Sequence, residues 1–196
     1  HFAEDAERGI SEAFPQEPAR ERARQNHPSR IMYVEFGNLR GFNDISHPHG
    51  NAVLKECADV MLDTLKAAGF SDTLDDVYHL GGGQFIILLP NQKPDGSWLD
   101  GGSLHQLETD LYKAVDDRIN NKTLAEYFNG QNGKPGLENV VVDPNMKMGD
   151  VPHPTWEKER GVDMLIETDA IYINERGGFQ IDRLQKRAAS RRASVS

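Results

Sequence analysis

Three consecutive glycines at positions 81–83 are the first residues that could support chemistry, because glycine-rich loops can wrap their backbone amides around a phosphate. A phosphate-binding loop of that kind follows a strand and opens a helix. Here apolar runs lie on both sides of the glycines, Val77 to Leu80 before them and Phe85 to Leu89 after them. The pattern therefore predicts a β-hairpin with a tight turn.

Histidines and tryptophans are the other side chains that could form a site. His47, His49 and His79 are candidate zinc ligands, but neither a cysteine partner nor a His-x₃-His spacing accompanies them. We therefore expect them to be solvent-exposed loop residues. Trp98 and Trp156 fall in polar segments, where each either marks a surface for a partner or packs locally under a long loop.

Composition limits the class of protein. The chain has 196 residues, of which 37% are hydrophobic, and its net charge of −9 disfavours general binding to nucleic acid. No apolar run approaches the ~20 residues that span a bilayer, and the N-terminus lacks the pattern of a signal peptide. The single cysteine, Cys57, lies in an apolar helical stripe, which predicts a buried, inert thiol in a reducing compartment. We expect a soluble cytoplasmic domain.

Hydrophobic periodicity predicts the elements that would position these residues. Helical patterns lie at 51–69, at 103–119 with Ser103 as the cap, and at 162–173. A short helix is expected within 37–44. Strand signals occur at 30–36, 77–80, 85–89, 140–142, 146–148 and 179–181. This order favours a layer of helices on a sheet that contains antiparallel strands.

Composition also divides the chain into segments. Residues 1–29 are polar and contain three prolines, which predicts a helical linker. Residues 30–182 form the expected domain, and 120–136 form an irregular insertion within it. Residues 183–196 are basic in an otherwise acidic chain. We interpret this last segment as a tail or linker, although contact with an anionic membrane or a nucleic acid is conceivable.

Four separated motifs between Ile31 and Ile181 resemble those of GGDEF domains, the family that makes cyclic di-GMP from two GTP molecules. Segment 35–44 (EFGNLRGFND) is similar to the family's DxDxFKxxND, and segment 50–54 (GNAVL) to its GDxxL. The hairpin GGGQF stands in place of the signature, and segment 170–178 (AIYINERGG) resembles ALYxAKxxG. The resemblance implies an α/β (α+β sandwich) fold, in which helices flank a central, mostly antiparallel sheet with a ferredoxin-like βααββαβ core.

The resemblance also implies that the family's chemistry has been lost. Nucleotide cyclases use divalent metals held by carboxylates on the first strand and in the hairpin. Glu35 keeps the charge at the strand position, whereas Gly83 and Gln84 stand at the hairpin positions and carry none. The family's phosphate-binding Lys falls on Glu175 and its Arg on Phe179. A carboxylate at that place would repel a triphosphate.

Guanine recognition is partly kept in this comparison. Asn43 matches the base-reading Asn, Asn51 replaces an Asp, and Arg40 keeps a cation. The family's inhibitory Arg-x-x-Asp site falls on Asp72 and Asp75 and lacks its Arg, so we expect no cyclic di-GMP there. We expect no bound cofactor, with Mg²⁺ and GTP held weakly at most. The implied degenerate nucleotide site comprises Glu35, Arg40, Asn43, Asn51, Gly81, Gly82, Gly83, Gln84 and Glu175.

Three functions follow as hypotheses. The first is a catalytically inactive bacterial GGDEF-like domain that regulates cyclic di-GMP signalling through other domains of its chain, a partner protein or a second copy. The second is a GTP sensor built on Arg40, Asn43 and Asn51. The third is an active cyclase in which Glu35, Asp44 or a partner chain supplies metal ligands. Neither nucleic acid nor membrane insertion is expected.

Overall fold

A four-stranded antiparallel sheet forms the centre of the protein, as a computed structural model describing residues 28–70, 77–90, 92, 95–170 and 181–195 shows. The strands lie in the order β2-β3-β1-β4, which is the ferredoxin-like arrangement. The expected α/β fold with a βααββαβ core is thus confirmed. Its elements are β1 (Pro28–Gly37), α1 (Leu39–Ile45), α2 (His47–Ala67), β2 (Val77–Gly81), β3 (Gln84–Pro90), α3 (Gly101–Val115), α4 (Leu124–Phe128), β4 (Asp163–Ala170) and α5 (Ile181–Val195).

The sheet is covered on both faces, and the alternation of β1 explains why. Met32, Val34 and Phe36 point into the larger core, which also receives the apolar faces of α2 and α3. Ile31 and Tyr33 point the other way, into a smaller core shared with α5. A central strand that is buried on both faces has a nearly continuous apolar sequence. This pattern is what predicts a strand at 30–36.

Helix α2 confirms the predicted amphipathic helix and begins earlier, at His47. Ser46 is its N-cap, and the Ser46 hydroxyl oxygen accepts a hydrogen bond from the His49 backbone amide at 3.3 Å. Cys57 lies on the buried face, and burial raises the pKa of its thiol far above the usual range. The expectation of a buried thiol is therefore confirmed.

Helix α3 is also confirmed, but its predicted cap is wrong. The N-cap is Asp100, whose carboxylate accepts from the Ser103 backbone amide at 2.8 Å, so Ser103 lies inside the first turn. This hydrogen bond lowers the pKa of Asp100. The helix continues beyond Val115 as a π-helical turn, Asp116–Asn120.

The predicted helix at 162–173 is wrong over its described part, because Asp163–Ala170 forms strand β4 on β1. Met164 and Ile166 enter the larger core and Leu165 the smaller one, which is the alternation of a strand buried on both faces. The strand signal at 179–181 lies outside the described residues except for Ile181, which begins α5.

The strand signal at 140–142 is wrong as well, and 146–148 forms only an isolated antiparallel bridge, between Lys147 and Thr123. Val140 donates its backbone amide to Leu137, and Val142 donates to Val140, so the backbone bonds locally rather than to a neighbouring strand. The Val141 side chain is fully exposed. Met148 is buried as the first residue of a 3₁₀ turn, Met148–Asp150. The apolar residues of these two segments therefore do not share one buried face: Val141 is exposed and Met148 is buried.

The segment that the sequence marks as an irregular insertion, 120–136, contains helix α4. Thr123 and Glu126 form a capping box at its start. Tyr127 and Phe128 are buried in the larger core, so the segment contributes to the domain's packing. A 3₁₀ turn, Gln131–Gly133, follows it.

Helix α5 includes most of the segment interpreted from the sequence as a tail, and it packs on the sheet. Leu184 and Ala188 are buried in the smaller core. Beside them, Arg187 and Arg191 form ion pairs with Glu167 of β4 at 3.4 and 2.8 Å. Among the described helices, α5 included, none is long and apolar enough to cross a membrane.

Candidate functional site

A pocket of about 450 Å³ opens where the end of β1, the helices α1 and α2, the β2–β3 turn, residues 151–161 and the last turn of α5 meet. Of the nine residues predicted for the degenerate nucleotide site, six line this pocket. Gly81 and Gln84 lie beside it in the hairpin, and Glu175 lies outside the described residues. The six are Glu35, Arg40, Asn43, Asn51, Gly82 and Gly83.

Local backbone features bring the two amide residues of this set together. Asn38 follows β1 with a φ of 62°, a left-handed conformation that turns the chain directly into α1. Gly50 lies in the first turns of α2, and a Cβ at that position would overlap the Asn43 carboxamide. The absence of a side chain at Gly50 therefore lets Asn43 lie against α2 next to Asn51.

The carboxylate of Glu35 is bound by an arginine that the sequence analysis did not identify. Arg192, in the last turn of α5, lies 3.3 Å from Glu35, 2.6 Å from Glu159 and 3.1 Å from Asp163. The Arg192 side chain is 17% exposed and that of Glu159 only 10%, so solvent screens this ion pair weakly. One guanidinium thus offsets the negative charge of Glu35, the residue that the resemblance to GGDEF domains aligns with a metal-binding acid.

A sequence signal for Arg192 does exist. Leu184, Ala188 and Arg192 recur every four residues, which places them on one face of a helix. The first two are buried against the sheet, and the third continues that face to the pocket. The signal is weak, because this stripe contains only two apolar residues and the segment around it is basic.

The two hairpin residues Gly83 and Gln84 make close contacts with the rest of the domain. Gln84 lies directly across from Glu35 in the β1–β3 register, and its side-chain oxygen accepts from Gln185 Nε2 at 3.0 Å. A Cβ on Gly83 would clash with the carbonyl oxygen of Phe36. Helix α5 therefore contacts both Glu35 and Gln84, while Gly83 has no space for a side chain.

The histidines differ from the sequence expectation of exposed loop residues. Of the three candidate zinc ligands, His49 and His79 are buried, and His47, at the start of α2, is exposed. The His79 ring nitrogen Nε2 lies 2.8 Å from the Gly82 carbonyl oxygen, which fastens the turn next to the pocket. In the part of the chain that the structure describes, no three acidic, histidine or cysteine side chains are grouped to hold a metal ion.

Burial also affects the tyrosine next to Glu35. Desolvation raises the pKa of Tyr33 far above its usual range, and the charge of Glu35 adds to the shift. Tyr33 therefore remains a neutral phenol at physiological pH, as a member of the smaller core.

Several predicted residues lie where the structure gives no account of them. Asp72 and Asp75, from the expected inhibitory site, are outside the described residues, as are Glu175 and Phe179. Of the fourth motif only Ala170 is described, as the last residue of β4.

Comparisons with known proteins give the following results. No family model matches the chain, and a search of curated proteins finds no match either. Among solved structures, the chain is similar to the diguanylate cyclase SiaD from Pseudomonas aeruginosa, which was crystallised in complex with its activator SiaC. The two share 17% sequence identity with a TM-score of 0.44 over 94% of this chain. The similarity covers 52% of the SiaD chain, so this chain spans about half of that length.

Proposed function

We propose that this chain is a catalytically inactive GGDEF-type domain that acts as a regulatory module in cyclic di-GMP signalling. It would work through contact with another signalling domain or a partner protein. The four motifs and the ferredoxin-like strand order support the type of domain. The observation that carries the loss of activity is the contact of Arg192 with Glu35, at the position of the first metal-binding acid.

Phosphodiester formation from GTP requires divalent metals to activate the attacking hydroxyl and to offset the triphosphate charge. Mg²⁺ prefers anionic oxygen ligands in octahedral geometry. Gly83 offers no ligand, Gln84 is a neutral amide bound to Gln185, and Glu35 is already paired with a cation. A metal would have to displace Arg192, which also binds two other carboxylates.

Turnover of GTP tests this proposal. The purified chain is incubated with GTP and either Mg²⁺ or Mn²⁺, and products are separated by chromatography. We expect no cyclic di-GMP from the unmodified chain or from Glu35→Gln. Metal-dependent product that disappears in Glu35→Gln would contradict the proposal and favour an active cyclase. The variant Glu138→Gln, which changes an exposed carboxylate outside the pocket lining, is the matched control.

A second candidate is a guanine-nucleotide sensor, and the lining of the pocket favours it. Arg40, Asn43 and Asn51 line the same cavity, and its volume is within the range of small-molecule sites. Carboxamides can both donate to and accept from the edge of a base, and a guanidinium can contact phosphate. In this role the nucleotide would be held without being converted.

Calorimetric titration with GTP and with cyclic di-GMP, each with and without Mg²⁺, separates the two candidates. Saturable GTP binding that does not depend on Mg²⁺ and weakens in Asn43→Ala supports the sensor. Gln131→Ala, an exposed amide after α4, is the control and is expected to bind as the unmodified chain does. Absence of GTP binding up to millimolar concentration removes the sensor and leaves the protein-interaction module.

A further inference from the structure

The loop of residues 151–161 forms one wall of the pocket and is anchored at both of its ends. Asn38 donates from Nδ2 to the carbonyl oxygens of Val151 and Gly161, each at 2.9 Å. The amide of Gly161 also donates to the Val151 carbonyl at 2.8 Å. Near the end of the loop, Glu159 is bound to α5 by its ion pair. The core of the domain therefore holds this loop in a defined position.

Two aromatic rings of the loop are stacked on each other. The ring centroids of His153 and Trp156 are 4.6 Å apart and the planes differ by 9°. Nδ1 of His153 accepts hydrogen bonds from the backbone amides of Thr155 and Trp156, each at 3.0 Å. These bonds orient the imidazole and define it as an acceptor at Nδ1. The pair is thus a preformed stack, in which each ring has one face against its partner and one outer face.

The placement of this pair does not match simple packing under a loop. Local packing would bury the indole, whereas Trp156 is 47% exposed and both rings line the pocket. A large aromatic side chain held in place and left accessible at a concave site is available for a ligand. Trp98 is 68% exposed but lies outside the pocket lining, so it provides a comparison within the same chain.

The remaining walls carry groups of a different chemistry. Asn43 and Asn51 present carboxamides and Arg40 a guanidinium, while the nearby carboxylates Glu35 and Glu159 are paired with a cation. A site with an aromatic wall and two amides fits a planar heterocycle that stacks through its face and hydrogen-bonds through its edge. Purines have this combination of properties.

We infer that His153 and Trp156 form a stacking platform for the purine ring of a nucleotide bound in this pocket. The inference rests on the second candidate function, a pocket that binds a guanine nucleotide. It adds a recognition element from residues 151–161, a segment that none of the four sequence motifs includes.

Tryptophan fluorescence and calorimetry together test the platform. Trp98→Phe leaves Trp156 as the sole tryptophan, and we expect GTP and guanosine to quench its emission with the midpoints found by calorimetry. Inorganic triphosphate is expected to leave the emission unchanged. In calorimetry, Trp156→Leu is expected to weaken GTP binding by about tenfold or more, whereas Trp98→Leu leaves it unchanged. Trp156→Phe retains a ring and is expected to bind within about threefold of the original.

The outcomes distinguish this inference from the function on which it rests. Calorimetric GTP binding that is unaffected by Trp156→Leu overturns the platform and leaves the sensor standing. Absence of GTP binding by the unmodified chain overturns both. Near-ultraviolet circular dichroism would reveal whether Trp156→Leu fails to fold. In that case the test is the fluorescence of Trp98→Phe, in which Trp156 is the sole tryptophan. A Trp156 emission that stays constant at saturating GTP then overturns the platform.

Discussion

The guanidinium of Arg192 lies 3.3 Å from the carboxylate of Glu35, although 157 positions separate the two residues in the chain. The same guanidinium contacts Glu159 and Asp163, so it joins α5 to β1, to the pocket loop and to β4. The Glu35 carboxylate thus has a cation from the protein itself as its partner. This contact connects the last helix of the domain directly to its pocket.

Removing the Arg192 side chain is expected to destabilise the domain. Arg192→Ala leaves the partly buried carboxylates of Glu35 and Glu159 without a counter-charge, which should cost about 1–3 kcal/mol in urea unfolding. The matched control is Arg183→Ala, because Arg183 is 58% exposed and its single ion pair, with Asp169, is 3.6 Å long; Asp169 also keeps its pair with Arg187, so the loss should be less than about 0.5 kcal/mol. Equal losses of unfolding free energy in the two variants would show that the Arg192 cluster stabilises the domain no more than the Arg183–Asp169 pair does.

Adding a side chain at position 83 of the hairpin should destabilise the domain for a steric reason. A Cβ at Gly83 clashes with the Phe36 carbonyl, so Gly83→Ala is expected to destabilise the protein by about 1–3 kcal/mol. Gly101→Ala is the control, because that helical position has open space, and it should be neutral or stabilising by up to about 1 kcal/mol. Both effects are measured by urea unfolding.

The double variant Gly83→Asp with Gln84→Glu extends this test to activity. We expect a less stable protein that makes no cyclic di-GMP from GTP and Mg²⁺, since the backbone at 83 cannot present a carboxylate without rearrangement. A stable double variant with cyclase activity would show that the hairpin adapts and would contradict this prediction.

Helix α5 should behave as part of the folded domain. Leu184 is fully buried against the sheet, and Leu184→Ala is expected to cost about 2–4 kcal/mol in urea unfolding. Lys186→Ala, on the exposed side of the same helix, should change stability by less than about 0.5 kcal/mol. If neither variant alters stability, α5 is a detachable segment, and the domain ends before Ile181.

His49 should make the stability of the domain depend on pH. Burial lowers its pKa below the usual value of 6.5, and the Gly136 backbone opposes that shift only in part. Below pH 6.5 the unfolded chain therefore binds a proton at His49 that the folded chain does not, and stability falls as the pH decreases.

Urea unfolding at pH 7.5, 6.5 and 5.5 measures this dependence. The loss of stability on acidification should be smaller in His49→Gln than in the unmodified chain. His47→Gln changes the exposed histidine two positions away and should retain the full loss. Identical slopes in all three proteins would mean that His49 does not contribute.

Much of the fold follows from local patterns that depend on few distant partners. The apolar run of β1, the stripe of α2 with Cys57, and the glycine turn at 81–83 each determine their element by period and backbone freedom. Six of the predicted site residues meet in one pocket because β1, α1, α2 and the hairpin are adjacent in the fold. For these elements, local preference and tertiary packing favour the same conformation.

Tertiary contacts determine the conformation of the last part of the chain. Residues 163–170 have a pattern compatible with a helix, and they become a strand because β1 offers a free edge and two cores to fill. Helix α5 has only a narrow apolar stripe, and its arginines find their carboxylates on β1, on β4 and in the 151–161 loop. The sequence alone determined the central strand, the first helices and the hairpin. The contact of Arg192 with Glu35 depends on the folded arrangement, because an ion pair between distant segments forms only when the completed sheet brings them together.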